Sequence, residues 1–78
     1  MSRIIYERFR EICPDEDISN KSIDDLITDT NVAFKIIGYE PKNIINLEDN
    51  VRKIYDKVDN DTRLYVFIYK VWRWWVDE

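Results

Sequence analysis

Hydrophobic residues recur along this chain at helical spacing, and polar or helix-breaking clusters divide them into four segments. In the first, Ser2 stands as an N-cap, and Ile5, Phe9, Ile12 and Cys13 draw one stripe along a helix from Arg3 to Cys13. Pro14 closes it, because the residue before a proline is pushed out of helical geometry. Pro14 to Lys21 reads as an acidic loop. Ser22 then caps a second helix whose first turn carries Asp24 and Asp25, where the helix dipole favours negative charge. Ile23, Leu26, Ile27, Phe34 and Ile37 share a face if that helix runs to Ile37. Gly38 is placed to supply the left-handed residue after it, and Pro41 comes next as a helix breaker. Thr28-Asp29-Thr30-Asn31 is poor in helix formers, so the pattern admits either one helix or two short ones.

The third segment is the most regular. Asn46 is placed to cap it, and Leu47, Val51, Ile54, Tyr55 and Val58 form its apolar stripe. Glu48 with Arg52, and Asp49 with Lys53, are acid-before-base pairs four apart, each adding ~0.2–0.5 kcal/mol. Asp59-Asn60-Asp61 reads as a three-residue turn, with Asp61 the cap of the next helix. The fourth segment, Leu64-Tyr65-Val66-Phe67-Ile68-Tyr69 and onward, has the composition of a strand. Its charges decide otherwise. Arg63, Lys70, Arg73 and Asp77 fall on one narrow stripe of a helix, opposite Leu64, Ile68, Val71, Trp72 and Trp75, whereas a strand would leave both faces mixed. The expected fold is all-α: a compact bundle of four helices, or five if the second breaks, with helices three and four forming an antiparallel hairpin. Residues 1–78 make one domain, since no linker, repeat or low-complexity stretch divides them.

Composition narrows the functional classes. The hydrophobic content of 45% and aromatic content of 14% are ample for a packed core. A net charge of −4 argues against a nucleic-acid binder, whose footprint is normally basic. Histidine is absent, which removes the commonest near-neutral acid–base catalyst and the commonest zinc ligand together. The one cysteine, Cys13, cannot form an internal disulfide and sits on an apolar stripe, which fits a reducing compartment. Charges interrupt the apolar run of the N-terminal residues, so no signal peptide is expected, and no stretch is long and apolar enough to span a bilayer. The expected location is cytoplasmic. The bias towards Ile, Asn, Asp, Lys and Tyr is that of AT-rich genomes, where small chains of this kind are frequent in viruses and mobile elements; the host cytoplasm would then be the setting.

Several sites of chemistry are suggested and then fail on particular residues. Asp15-Glu16-Asp17-Ile18-Ser19-Asn20 begins like a calcium loop, but Asn20 replaces the turn glycine and Leu26 the bidentate glutamate. Phosphate-cradling loops need glycines, and the chain has only Gly38. Asp24 and Asp25 are adjacent and so point to different helix faces, which suits capping better than acid–base work. Ser22-Ile23-Asp24-Asp25-Leu26 followed by Asp29-Thr30-Asn31 resembles the approach to the modified serine of acyl carrier proteins, which are also small, acidic and four-helical. The resemblance covers about a fifth of the chain, and Thr30 stands where the attachment serine belongs, so no cofactor and no site residue is carried over. No catalytic residue and no metal ligand is assigned, and the expectation is a protein that is not an enzyme. Residues 22–37 also approximate the apolar spacing of a helix-turn-helix, through Ile23, Leu26, Ile27, Val32, Ile36 and Ile37, with residues 28–31 as its turn. That alternative, a DNA-binding regulator, would expose Asn31 and Lys35 but little other basic charge.

The remaining signal is surface. Tyr65, Phe67, Trp72, Trp74, Trp75 and Val76 spread over more of the last helix than one face can bury, and tryptophan with arginine anchors many protein–protein hot spots. Trp74 lies beside the polar stripe and points away from Ile68 and Trp72. The expected function is therefore a small interaction module, an adaptor or inhibitor, that binds a partner protein through this helix, the acidic loop, or both. Its partner-binding residues are Trp74, Arg73, Lys70 and Trp75 on the helix, and Asp15 and Asp17 on the loop. A basic partner such as a nucleic-acid-handling enzyme fits the loop, and self-association through the helix is a second form of the same reading.

Overall fold

The computed structural model describes residues 2–39 and 44–76, with side chains described for residues 3–39 and 46–74. Four helices succeed one another: α1 (Ser2–Ile12), α2 (Ile23–Ile36), α3 (Ile44–Tyr55) and α4 (Leu64–Val76). α4 is the central element. It packs against α1 on one side and α3 on the other, while α2 pairs with α3 and touches α4. The bundle and its α3–α4 hairpin are those the periodicity predicts, and no strand forms among the described residues.

α2 shows how local sequence fixes an element. The Ser22 side chain accepts a hydrogen bond from the Asp25 backbone N–H, and the Asp25 carboxylate accepts one from the Ser22 N–H. This reciprocal box satisfies two donors that a helix start otherwise leaves unpaired. At the other end Gly38 adopts φ 84°. Its N–H donates to the Lys35 carbonyl at 3.1 Å, and the Tyr39 N–H donates to that of Phe34 at 2.8 Å. That is a Schellman closure, and its apolar contact is the edge-on Tyr39–Phe34 ring pair, centroids 5.5 Å apart. Between these ends α2 runs unbroken through residues 28–31, so the second helix does not split and no helix-turn-helix forms in residues 22–37. Packing overrides the weak propensities there: Leu26, Ile27, Thr30, Ala33 and Phe34 are all buried. Thr30 is completely so, which removes it from any surface chemistry.

Three helix starts differ from the sequence expectation. Ser2 is itself helical rather than a cap. α3 begins at Ile44, so Asn46 lies exposed in its first turn and caps nothing, because backbone bonds gained by extending the helix replace the one a cap side chain supplies. α4 begins after Arg63, whose carbonyl accepts from the Phe67 N–H, so Asp61 is not its cap and the α3–α4 connection spans residues 56–63. The loop before α2 takes up the unpaired donor instead. The Leu64 N–H donates to the Glu16 carbonyl at 2.8 Å, the Ile18 N–H donates to that of Thr62 at 3.0 Å, and Asp17 bridges Arg63. These bonds seat Ile18 in the core, 1% exposed, so the acidic loop 14–21 is a strap tethered to the start of α4.

The core is contributed by every element. Phe9, Ile18, Leu26, Phe34, Leu47, Val51, Leu64, Phe67, Ile68 and Val71 have essentially no exposed surface. Tyr6 of α1 meets Tyr65 and Tyr69 edge-on, with centroids 5.5 and 5.1 Å apart, and Tyr69 stacks on Trp72 at 6.0 Å. Tyr65 and Tyr69 of α4 are thus covered by α1. Pro41 and Asp77 lie outside the described residues, as do the side chains of Trp75 and Val76.

Candidate functional site

The C-terminal half of α4 and the end of α3 present matching sets of side chains. On α3 and the turn after it these are Lys53, Ile54, Lys57 and Val58; on α4 they are Tyr69, Lys70, Arg73 and Trp74. Each set is spaced i, i+1, i+4, i+5, which places it along one side of its helix. The α3 set keeps this spacing past the last α-helical residue because the backbone tightens: the Lys57 N–H donates to the Ile54 carbonyl at 2.9 Å, three residues back. Ile54, Lys57, Val58, Tyr69, Lys70, Arg73 and Trp74 line an open groove of about 590 Å³. That volume is within the range of small-molecule pockets, roughly 300–1,000 Å³.

Trp74 organises the groove. Its ring is half-buried and packs on the core, with the Lys57 ammonium 4.2 Å from the ring centroid and that of Lys53 5.9 Å away. Both lie within the ~6 Å reach of cation–π attraction. The sequence places Trp74 beside the polar stripe and away from Ile68 and Trp72, and on that side its ring still packs against the core. Trp74 stands seven residues after Phe67, hence on the same side of α4, and Phe67 is fully buried. α4 must cover two neighbours, so its buried arc is wider than the single stripe through Ile68 and Trp72. The Trp74 indole N–H is enclosed and has no hydrogen-bond acceptor among the described residues. Arg73 donates to the Tyr69 hydroxyl at 3.4 Å.

The electrostatics of the groove are one-signed. Three of its lining residues are cations, none is an acid, and Lys53 adds a fourth positive charge at its edge. Neither Lys57 nor Lys70 has a carboxylate partner among the described residues. The expected pairs Glu48–Arg52 and Asp49–Lys53 are not closed there either; exposed pairs of this kind compete poorly with water. Lys53 goes to the Trp74 ring instead.

The predicted residues are therefore brought together only in part. Trp74, Arg73 and Lys70 share the groove, whereas the Trp75 side chain lies outside the described residues. Asp15 and Asp17 belong to the strap at the other end of α4. The ten residues from Arg63 to Arg73 separate the two by about 15 Å of helix. Asp15 is 90% exposed and 3.8 Å from Arg63. The Asp17 carboxylate accepts from the Ser19 hydroxyl and backbone N–H, and these bonds hold its pKa below the ordinary value. Reasoning from the sequence missed Lys57, Lys53, Ile54 and Val58. Their signal was the basic pair at 53 and 57, four apart on the helix expected to neighbour α4.

A second cluster lies beneath the strap. The Lys21 ammonium, 19% exposed, sits between Glu16 at 2.8 Å and Asp29 at 2.9 Å, and both partners push its pKa up. Beside it, burial first and the Asp29 carboxylate second push the Cys13 thiol up to about 11. A thiol so protonated is a poor nucleophile.

Comparison with protein-family models, curated proteins and solved structures finds no match to this chain.

Proposed function

We propose that this protein is a small, non-enzymatic interaction module, an adaptor or inhibitor, that binds a partner protein in the α3–α4 groove. The observation that carries this reading is the convergence of Trp74, Tyr69, Lys57, Lys70 and Arg73 around one apolar-floored cleft. Evolution of a monomer for stability alone gives little reason to gather like charges around an open hydrophobic floor, since their mutual repulsion opposes folding. Trp, Tyr and Arg in one concave patch are the usual carriers of binding energy between proteins. The half-buried setting of Trp74 fixes the groove wall in advance, so little ordering is left for binding to supply. The strap carrying Asp15 and Asp17 serves the fold first, by seating Ile18 and closing the start of α4.

The test is capture of partners from host lysate by the tagged full chain, with and without nuclease, compared with the Lys70→Glu/Arg73→Glu variant. A protein retained through nuclease by the wild type and lost by the variant is the expected result. Equal capture by both would remove the groove from the function, and capture that disappears with nuclease would move the function to nucleic acid.

A further inference from the structure

The groove's chemistry identifies the class of its occupant. Resting on the proposed function, we infer that the groove takes a short acidic peptide segment bearing an apolar side chain, the carboxylates meeting Lys57, Lys70 and Arg73 and the apolar group meeting Ile54, Val58 and Trp74. Charge complementarity is the main argument. The chain as a whole carries −4, yet the lining residues carry only positive charge. Lys57 and Lys70 lack acidic partners among the described residues, so an incoming carboxylate gains charge-assisted hydrogen bonds from these two lysines without breaking an ion pair of theirs. It also relieves the repulsion among the cations. The floor supplies the second requirement: most of the exposed area in the groove is apolar, with Ile54, Val58, Tyr69 and Trp74 in its lining, and an apolar group makes use of it.

A nucleic acid is the other polyanion to weigh, and two features disfavour it. One face of the Trp74 ring is already occupied by the Lys57 ammonium at 4.2 Å, so a base would have to displace it in order to stack. A strand also carries a phosphate at each nucleotide and continues past any one cleft. Beyond this groove it would run over a molecule whose longest dimension is 27 Å and whose surface exposes acids among its bases, Asp15, Asp24 and Asp25 included. A short acidic segment ends where the positive field ends.

The experiment is a nitrogen-15 nuclear magnetic resonance titration of the full chain with three probes: a synthetic peptide alternating glutamate and leucine, its glutamine counterpart, and a single-stranded oligothymidylate. The glutamate peptide should shift the Trp74 indole resonance and the amides of residues 54–58 and 69–74, with affinity falling at least tenfold on Lys57→Gln/Lys70→Gln and falling again as salt rises. Spectral dispersion of that variant, unchanged from wild type, shows that it folds. Equal binding of the glutamine peptide, tighter binding of the oligothymidylate at the same residues, or no shift in the groove would each overturn the inference. Its failure is separable from failure of the wider reading: a lysate partner lost on Lys70→Glu/Arg73→Glu while the glutamate peptide fails leaves the groove as the site and removes only the acidic class.

Discussion

Trp74 illustrates how one residue can serve packing and, on the proposed function, binding together. Its ring is held by core contacts and two lysine ammonium groups, so truncation costs stability as well as any partner affinity. Complete burial would make Trp→Ala cost about 3–5 kcal/mol, and half-burial brings the expected loss to about 1–3 kcal/mol. The cation–π component is separable. A double-mutant cycle of Lys57→Met and Trp74→Leu, read by urea unfolding, should return a coupling of about 0.5–1 kcal/mol; zero coupling would show that the 4.2 Å approach contributes nothing in solution. Thr30 is the opposite case, a fully buried hydroxyl with no hydrogen-bond partner among the described residues. Thr30→Val keeps the shape and removes the unsatisfied group, so it should stabilise by about 1 kcal/mol. A loss of that size in a melting experiment would mean that the hydroxyl has a partner. For Cys13 the linkage runs through alkali. Its thiol is raised from 9.0 to about 11 in the fold, so the folded state holds its proton longer, and its contribution to stability is complete below pH 9.0 and lost as pH rises through about 11. A Cys13→Ala variant should show a shallower fall in melting temperature across that window.

At the scale of elements, the helices were legible because apolar periodicity decides them, as were the ends that carry their own caps, whereas ends closed by long-range bonds were not. Ser22, Asp25 and Gly38 carry their own capping instructions, and each is used as its sequence implies. Asp61 carries a similar instruction that goes unused, since the Leu64 N–H is met by Glu16 from the strap, a partner nearly fifty residues away in the chain. Ile18 was hidden for the same reason: an isolated apolar residue among acids has no period, and only the bridge to Arg63 and the bond to Thr62 place it inside. Two variants test these elements. At Gly38 an added Cβ meets nothing within 4 Å, so Gly38→Ala should cost only the left-handed backbone term, about 1–2 kcal/mol by chemical unfolding. At Lys21 the pair with Asp29 is neither open to water nor sealed from it, so Lys21→Met should fall between the surface and buried limits, at about 1–2 kcal/mol. A change near zero would show that the strap is held by Ile18 and its backbone bonds alone.

For the whole molecule, the two sequence-level features singled out for binding are segregated along α4. The acidic strap closes its first turn, and the basic aromatic groove flanks its last. Periodicity revealed the polar stripe of Arg63, Lys70 and Arg73 but could not say that only the latter two face an opposing lysine, because that depends on how α3 ends. The groove is therefore a property of the hairpin, not of the last helix alone, and its field should tune association: partner affinity should fall with ionic strength, since exposed cations are screened over ~8–10 Å at physiological salt. On the proposed function, a partner sits at this end of the hairpin. The most direct measurement places a photo-crosslinking amino acid at Asp56, exposed beside Lys57, and separately at Asp24, exposed at the start of α2, with the full chain expressed in the cells it comes from. A discrete protein adduct is expected from position 56 and none from position 24. An adduct from 24 alone, or from neither, would contradict the proposed function.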